Sequence, residues 1–403
     1  METSITDLAP WLLSPLAIIG AALLLAQLIG LWLSARGLPK LYGAVISGLI
    51  VGVSGLGLVD APLLGQFQEL FNAATALVLF EVGRKMDLQW LWRSRREGVC
   101  LVLACLLRGT LSFACLAAFG IAARDAAVIA VILVAASPVI FGSMAADANA
   151  SGVASFASAN MVGLGNVLAL LALGPTLAWL KSGAAGTAGV GAELQAQALK
   201  LALGALIALL CYALYAAATR LSKAPARQRP PMLLAALLMD LGLCSISASS
   251  ALLSLLLMGL LLRNAEKRDN VFQAQIKTGQ DIGYALLFMM SASLVPIQQL
   301  MHPQTLALAL LVLVVRVGGT RLALAPSGAW SAQKKNGMAM SLCSVVSFGT
   351  LMVDNSLGMY PNMGGAAAQV MAALLGLNAL IAPAVTWWGL KTAGETHEDD
   401  SDE

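Results

Sequence analysis

Long apolar runs constrain this sequence more than any other feature, because about 20 mostly apolar residues form a helix that crosses the hydrocarbon core of a bilayer. Of the 403 residues, 59% are hydrophobic and 11% are charged, whereas soluble chains carry about a quarter charged residues. The mean hydropathy is +0.82. These values exclude a soluble enzyme, a disordered regulator and a nucleic-acid binder. They predict an integral membrane protein whose surroundings are a lipid bilayer.

Interrupting the runs at Pro, Gly and charge clusters predicts thirteen spans. They cover residues 11–34, 41–59, 67–84, 98–121, 125–147, 153–180, 196–219, 231–247, 249–263, 280–300, 304–325, 335–354 and 363–390. The alternating hydrophobicity of a membrane β-barrel is absent. The predicted fold class is therefore an all-α membrane protein with about thirteen transmembrane helices.

Basic residues test this count, because loops on the cytoplasmic side of a membrane retain Lys and Arg. With thirteen spans, nineteen of the 24 basic residues fall on one side and three on the other, while Arg108 and Arg316 lie within spans. If one helix were miscounted, the basic residues of every later loop would be assigned to the wrong side of the membrane. The segregation supports the count and predicts an N-terminus outside and a C-terminus in the cytoplasm.

The spacing of loops divides the chain into two halves. Residues 182–192 are rich in Gly and Ala, which is typical of a flexible linker, and the next span ends at a basic, Pro-containing stretch. We predict a first six-helix repeat in 1–180, a linker and joining helix in 181–230, a second repeat in 231–390 and an acidic, disordered tail in 391–403. The joining helix reverses the starting side of the second half, so the repeats can be inverted.

Each half has one span with a candidate interruption. Ser137 and Pro138 lie within the fifth span, where proline removes a backbone donor and either kinks or breaks the helix. The twelfth span is small and polar at mid-depth and contains Ser341 and Ser344. Unwound backbone at this depth needs polar partners.

Residues that support other chemistry are scarce. The six cysteines lie in or beside apolar spans without CxxC spacing, and the chain has two histidines. We interpret the cysteines as small buried hydrophobic residues. No cofactor, no metal site and no enzyme active site is therefore expected.

Several motifs resemble the monovalent cation:proton antiporters, the sodium/proton exchanger-like transporters. They are residues 36–43 (RGLPKLYG), 79–88 (LFEVGRKMDL), 136–138 (ASP), 165–170 (GNVLAL), 256–264 (LLMGLLLRN) and 283–294 (GYALLFMMSASL). Each is weakly specific alone. Their order and spacing extend the resemblance over most of the chain.

The resemblance implies a fold and a mechanism. Two broken helices, here the fifth and twelfth spans, cross in a core domain that moves against a dimerising domain, which implies a homodimer. In the family, carboxylates in the sixth span bind a proton and a cation in alternation, because both compete for one buried acid. A basic residue in the eleventh span, here Arg316, balances the site.

The sequence departs from the family at the ion-binding pair. Gly165 and Asn166 stand where the family has Asn-Asp or Asp-Asp. Asn166 can offer a carbonyl oxygen to a cation, but it cannot exchange a proton for one. The predicted site residues are Gly165, Asn166, Arg316, Ser137, Pro138, Ser341, Ser344 and Asn378.

This set contains a guanidinium, two amides and hydroxyls, but no acid. If both helices break, the N-terminal ends of the half-helices add partial positive charge. The site is then expected to attract an anion more than a cation. An acid such as Asp240 placed against Arg316 would remove this expectation, whereas Arg108 is open to a packing role or a functional contact.

The predicted function is a secondary active transporter of a small inorganic ion or small solute, resembling Na+ or K+:proton antiporters, in a bacterial inner membrane. One alternative is an anion or organic-acid carrier on the same scaffold. Another is a transport-incompetent sensor or subunit.

Overall fold

The computed structural model describes residues 14–36, 38–59, 61–185, 188–222, 229–265, 273–294, 302–345, 349, 352 and 364–396. Within these ranges every regular element is a helix. The helices are α1 (Pro15–Ser34), α2 (Leu41–Val51), α3 (Ala61–Gln66), α4 (Gln68–Lys85), α5 (Leu88–Arg93), α6 (Arg95–Ala118), α7 (Ala123–Val134), α8 (Pro138–Asp147), α9 (Val153–Ala185), α10 (Ala188–Leu221), α11 (Arg229–Ile246), α12 (Ala251–Ala265), α13 (Gln273–Ser293), α14 (Pro303–Ala323), α15 (Ala332–Ser341) and α16 (Gly365–Ala393).

Each of the thirteen predicted spans coincides with one helix or with a pair of helices. In the described ranges, eight helical segments are long and apolar enough to cross a membrane, and α2 and α12 are shorter apolar helices. The prediction of an all-α membrane protein is confirmed. The outer part of the predicted twelfth span lies mostly outside the described residues, and the inverted-repeat symmetry stays a prediction.

The helices form two groups. The core unit consists of α6–α9 and α14–α16, in which α6 packs on α14, and α15 packs on α16. The outer unit consists of α1, α2, α4 and α10–α13, in which α4 packs on α12, and α2 packs on both α1 and α13. A side chain at Gly83 would collide with the Leu256 carbonyl, and one at Gly259 with the Phe80 carbonyl. Small residues therefore let the backbones of α4 and α12 approach closely.

The Gly/Ala-rich segment 182–192 is helical rather than a flexible linker, apart from residues 186 and 187, which lie outside the described ranges. Helix α9 continues to Ala185, and α10 begins at Ala188. Alanine has the highest helix propensity of all residues. The sequence interpretation gave too much weight to the glycines.

The fifth span is broken and not merely kinked. Helix α7 ends at Val134, and α8 starts at Pro138. Proline fits the first position of a helix because no intrahelical partner is needed there, and the Ser137 hydroxyl caps α8 by accepting a hydrogen bond from the Ile140 N–H. In the second half, α15 ends at Ser341, and residues 342–345 are non-helical.

The C-terminal segment starts later than predicted. Helix α16 continues to Ala393, and Glu395 is 5% exposed rather than solvated. The Glu395 carboxylate accepts hydrogen bonds from the Ala154 and Ser155 N–H groups at 2.9 and 2.7 Å and pairs with Lys334 at 2.9 Å. It therefore caps the N-terminus of α9 and connects it to α15. Residues 397–403 lie outside the described ranges.

Candidate functional site

Arg316 connects the two helix interruptions. Its guanidinium is fully buried. Nε donates to the Leu133 carbonyl at 3.0 Å and Nη2 to the Ala135 carbonyl at 2.8 Å, both at the first interruption. Nη1 donates to the Cys343 carbonyl at the second interruption. One side chain of α14 thus binds backbone carbonyls of both broken helices.

These carbonyls explain how the charge of Arg316 is stabilised without an acid. Leu133 and Ala135 lie at the C-terminal end of α7, and Cys343 follows the C-terminal end of α15. Unpaired carbonyls give each helix C-terminus a partial negative charge. Arg316 therefore faces two C-terminal ends, and its three donor nitrogens are occupied. Arg316 therefore does not supply the free positive charge of the predicted anion-attracting pocket.

Two asparagines hold the interrupted backbone. Asn166 Oδ1, on α9, accepts a hydrogen bond from the Ala136 N–H at 3.0 Å. Asn378 Oδ1, on α16, accepts from the Val345 N–H at 2.7 Å, and its Nδ2 donates to the Cys343 carbonyl at 3.2 Å. Both amides satisfy backbone groups that an intact helix would satisfy itself. The oxygen of Asn166 therefore already accepts one backbone hydrogen bond at the interruption.

The two interruptions also contact each other directly. The Ser137 N–H donates to the Ser344 carbonyl at 2.8 Å. The Ser344 hydroxyl is buried without a partner among the described residues. Ser341 points elsewhere, because its hydroxyl donates to the Met338 carbonyl and lies 3.4 Å from the Ser158 hydroxyl. The structure therefore brings Ser137, Ser344, Asn166, Asn378 and Arg316 together, whereas Ser341 lies one turn away.

Gly165 lies against a second buried guanidinium. A Cβ atom at Gly165 would lie 3.0 Å from Arg108 Nη2 and 3.1 Å from the Val134 carbonyl oxygen. Arg108, on α6, is fully buried and reaches the position that a side chain at residue 165 would occupy. The sequence did not assign Arg108 to the site, although an arginine in mid-span is a signal of this kind.

Acids are absent from the described part of this site. Asp240 is fully buried, but it accepts a hydrogen bond from the Ser254 hydroxyl at 2.9 Å and lies 3.6 Å from Cys244 Sγ. It does not face Arg316. Glu81 forms the predicted local pairs, at 2.9 Å with Arg84 and 3.6 Å with Lys85. No group of three or more potential metal ligands occurs in the described ranges.

Two cavities lie between the core unit and the outer unit. One, of about 430 Å³, is lined by α4, α9, α10 and α12, and Lys200 is its charged lining residue. The other, of about 560 Å³, is lined by α1, α2, α8, α13 and α16 and contains Lys40 and Asp147. By the predicted topology, the first opens to the outside and the second to the cytoplasm.

The fold and these interruptions define an all-helical membrane transporter, and the comparisons with known proteins specify its family. The family described as "Sodium/hydrogen exchanger, transmembrane" matches residues 18–387. The chain therefore belongs to the sodium/hydrogen exchanger family, which is a family of transporters and not an enzyme class. No curated protein matches the chain in sequence.

Solved structures with this fold include the sodium proton antiporter MjNhaP1 from Methanocaldococcus jannaschii. Its structure at pH 8 superposes with a TM-score of 0.71 at 15% sequence identity, covering 95% of this chain and 98% of that one. An electron-microscopy structure of the same antiporter has a TM-score of 0.68 at 16% identity, covering 94% and 98%. These similarities establish the fold.

Proposed function

We propose that this protein is a secondary active transporter that exchanges Na+ or K+ for protons by alternating access. The core unit would move against the outer unit and expose one site to either side of the membrane in turn. The single observation that carries this proposal is the pair of cavities, which border the same two units and are lined by opposite ends of the long helices. Membership of the sodium/hydrogen exchanger family supports it.

The hydrogen bonds of the core support its movement as one body. Arg316 binds carbonyls of both interruptions, and Ser137 bonds directly to Ser344. The Glu395 carboxylate joins α9 to α15. Separating the broken helices would leave buried polar groups without partners, each at a cost of about 1–3 kcal/mol.

Proton coupling needs a titratable group, and the sixth-span position does not supply one. In the described part of the core unit, Gly165 and Asn166 replace the expected acid. Asp240 is a fully buried carboxyl group whose hydrogen-bond partners are the neutral Ser254 and Cys244. We propose Asp240 as the proton-binding group, because it is a fully buried carboxyl group whose hydrogen-bond partners in the described ranges are neutral.

A second candidate function is the transport of a small anion or organic acid. The observation that favours it is Arg108, a fully buried cation with two nitrogens that have no hydrogen-bond partner in the described residues. The cavity lined by α4, α9, α10 and α12 also supports anion transport, because Lys200 is its charged lining residue.

Proteoliposomes that contain a trapped pH indicator separate the two candidates. Purified full-length protein is exposed to a Na+ or K+ gradient in gluconate, and separately to a chloride or small carboxylate gradient with the cation held constant. Cation-dependent pH change in gluconate supports antiport, and anion-dependent change alone supports the second candidate. Arg36→Gln is a suitable control, since Arg36 is exposed and contacts Trp32 on its own helix turn. Absence of flux in every arm would reject both candidates and favour a sensor or subunit.

A further inference from the structure

We propose that Arg108 and Ser112, on α6, bind a small inorganic anion of the chloride class inside the core unit. The guanidinium of Arg108 is 0% exposed. Nη2 contacts Cys105 Sγ at 3.2 Å, which is a weak acceptor, and Nε and Nη1 have no partner among the described residues. A buried guanidinium with such poor partners is exceptional, since Arg is almost never fully buried unless it is paired.

The contrast with Arg316 indicates that Arg108 lacks its counter-charge. Arg316 donates from all three nitrogens to carbonyls at helix C-termini. Arg108 has no such carbonyl, and no ion pair in the described ranges includes it. Arg108 lies beside the same interruption as Arg316, since a Cβ atom at Gly165 would be 3.0 Å from Arg108 Nη2 and 3.1 Å from the Val134 carbonyl oxygen. A second buried cation at this place, without bonded carbonyls of its own, needs a negative charge nearby.

Ser112 supplies a second donor on the same face of the helix. It follows Arg108 by four residues, so the two side chains lie one above the other on α6. The Ser112 side chain is also 0% exposed, and its hydroxyl has no partner in the described ranges. Asn166 adds an unpartnered Nδ2 on α9, beside Gly165. Each of these groups can donate a hydrogen bond and lacks an acceptor in the described ranges. A small anion accepts hydrogen bonds and also supplies the negative charge.

The size of the site favours a monatomic or similarly small anion. A single Cβ atom at Gly165 would already lie 3.0 Å from Arg108 Nη2. The surrounding residues, including Cys105 and Ala104, are fully buried. A water molecule could satisfy one donor, but it would leave the charge of Arg108 uncompensated.

This site does not depend on which ion the protein transports. A bound anion can serve as a fixed counter-ion in a cation exchanger or as the substrate of an anion carrier. Binding of the anion is therefore measured directly and separately from flux.

The test uses purified full-length protein in detergent. Equilibrium binding of radiolabelled chloride is measured together with the melting temperature, while sodium chloride replaces sodium gluconate at constant ionic strength. We expect saturable binding of one chloride per chain and a saturable rise in the melting temperature. Ser112→Ala should weaken chloride affinity about tenfold to a hundredfold, the value of one hydrogen bond to an ion.

Two further variants and one control complete the design. Arg108→Gln should lose saturable binding, and Arg108→Lys should retain it more weakly, because the charge remains. Thr110→Ala removes a hydroxyl from the same helix that is exposed and bonded to the Leu106 carbonyl, so chloride binding should not change. Equal chloride binding in wild type, Ser112→Ala and Arg108→Gln, or no saturable binding to wild type, would overturn the proposal. Cation-driven proton flux in gluconate tests the transport function independently of either result.

Discussion

Asn166 and Asn378 hold the two helix interruptions in the same way. The oxygen of Asn166 accepts from the Ala136 N–H at 3.0 Å, and that of Asn378 accepts from the Val345 N–H at 2.7 Å. Each asparagine belongs to the helix that follows a broken span within its half of the chain. The amides differ in their nitrogens, because Nδ2 of Asn378 donates to the Cys343 carbonyl, whereas Nδ2 of Asn166 has no partner in the described ranges.

This difference predicts unequal effects of the same substitution. Asn166→Asp should fold with a melting temperature close to that of wild type, because the acceptor for Ala136 is retained and no bonded donor is lost. It should also raise Na+- or K+-dependent proton flux in proteoliposomes above that of wild type, because the sixth-span position then adds a titratable acid. The matched control is Asn378→Asp, which places a carboxylate against the Cys343 carbonyl and should lose about 1–3 kcal/mol of stability. Equal stability loss in the two variants would contradict this assignment of the amide nitrogens.

Arg316→Lys should not replace arginine, although it keeps the charge. An ammonium is a single point charge on a flexible stem, whereas the planar guanidinium donates in three directions at once. The variant should lose at least about 3 kcal/mol of stability, because buried carbonyls of one interruption lose their donor. Thermal unfolding in detergent measures the loss, with Arg36→Gln as the control. A stable Arg316→Lys variant with wild-type flux would show that the bridge between Leu133 and Cys343 is dispensable.

Asp240→Asn tests the proposed proton-binding group. Asparagine has nearly the same shape and can still accept the hydrogen bond from Ser254, so the stability should change by less than about 1 kcal/mol. Proton flux driven by Na+ or K+ should be abolished, because an amide does not titrate. The measurement is the rate of pH change in proteoliposomes at several external pH values. Retained coupling in a correctly folded variant would remove Asp240 from the transport cycle.

Glu395 makes stability depend on pH in a direction that follows from its contacts. Partial burial opposes its ionisation, but the N–H groups of Ala154 and Ser155 and the ammonium of Lys334 outweigh this effect and lower its pKa. A carboxyl group with a lowered pKa in the folded state stabilises the protein above its unfolded pKa. This stabilisation is lost as the pH falls through the folded value.

We therefore expect Glu395→Gln to cost roughly 1–3 kcal/mol at neutral pH and to converge with wild type in acid. Melting temperatures measured from neutral to acidic pH would show the convergence. Glu69→Gln, which removes an exposed acid from the first turn of α4, is the control and should parallel wild type throughout. A difference between Glu395→Gln and wild type that does not shrink in acid would contradict the role of the ionised carboxylate.

Hydrophobicity and charge predicted most of the secondary structure correctly. Within the described ranges, each of the thirteen predicted spans overlaps a helix, because a helix in lipid satisfies its own backbone and needs only an apolar run of sufficient length. Proline at 138 indicated an interruption, but the choice between a kink and a break depended on polar groups from elsewhere in the chain. Those groups are Asn166, which is 30 residues from its partner Ala136 in the sequence, and Arg316, which is 183 residues from its partner Leu133.

The polar contacts of the core were predicted less completely. The sequence indicated that Arg316 and Asn166 are buried, and it paired Glu81 correctly with Arg84 because the two are neighbours on one helix turn. It could not indicate that Arg316 binds carbonyls rather than an acid, because every residue has a backbone carbonyl and the sequence does not show which of them accepts a hydrogen bond. It also treated residues 391–403 as a disordered tail, since the capping of α9 by Glu395 joins residues 240 positions apart.

The sequence alone determined that this chain is a bundle of membrane helices. It also determined that an arginine lies in mid-span and that the sixth-span position carries no acid. These properties depend only on residue type and local spacing. The tertiary structure alone decided which partners the buried polar groups have. It placed Arg316 on the carbonyl ends of two broken helices, and it left Arg108 beside Gly165 without an acceptor in the described residues. The physical reason is that the free energy of burying a charged group depends on its contacts, and these contacts come from segments that are distant in the chain.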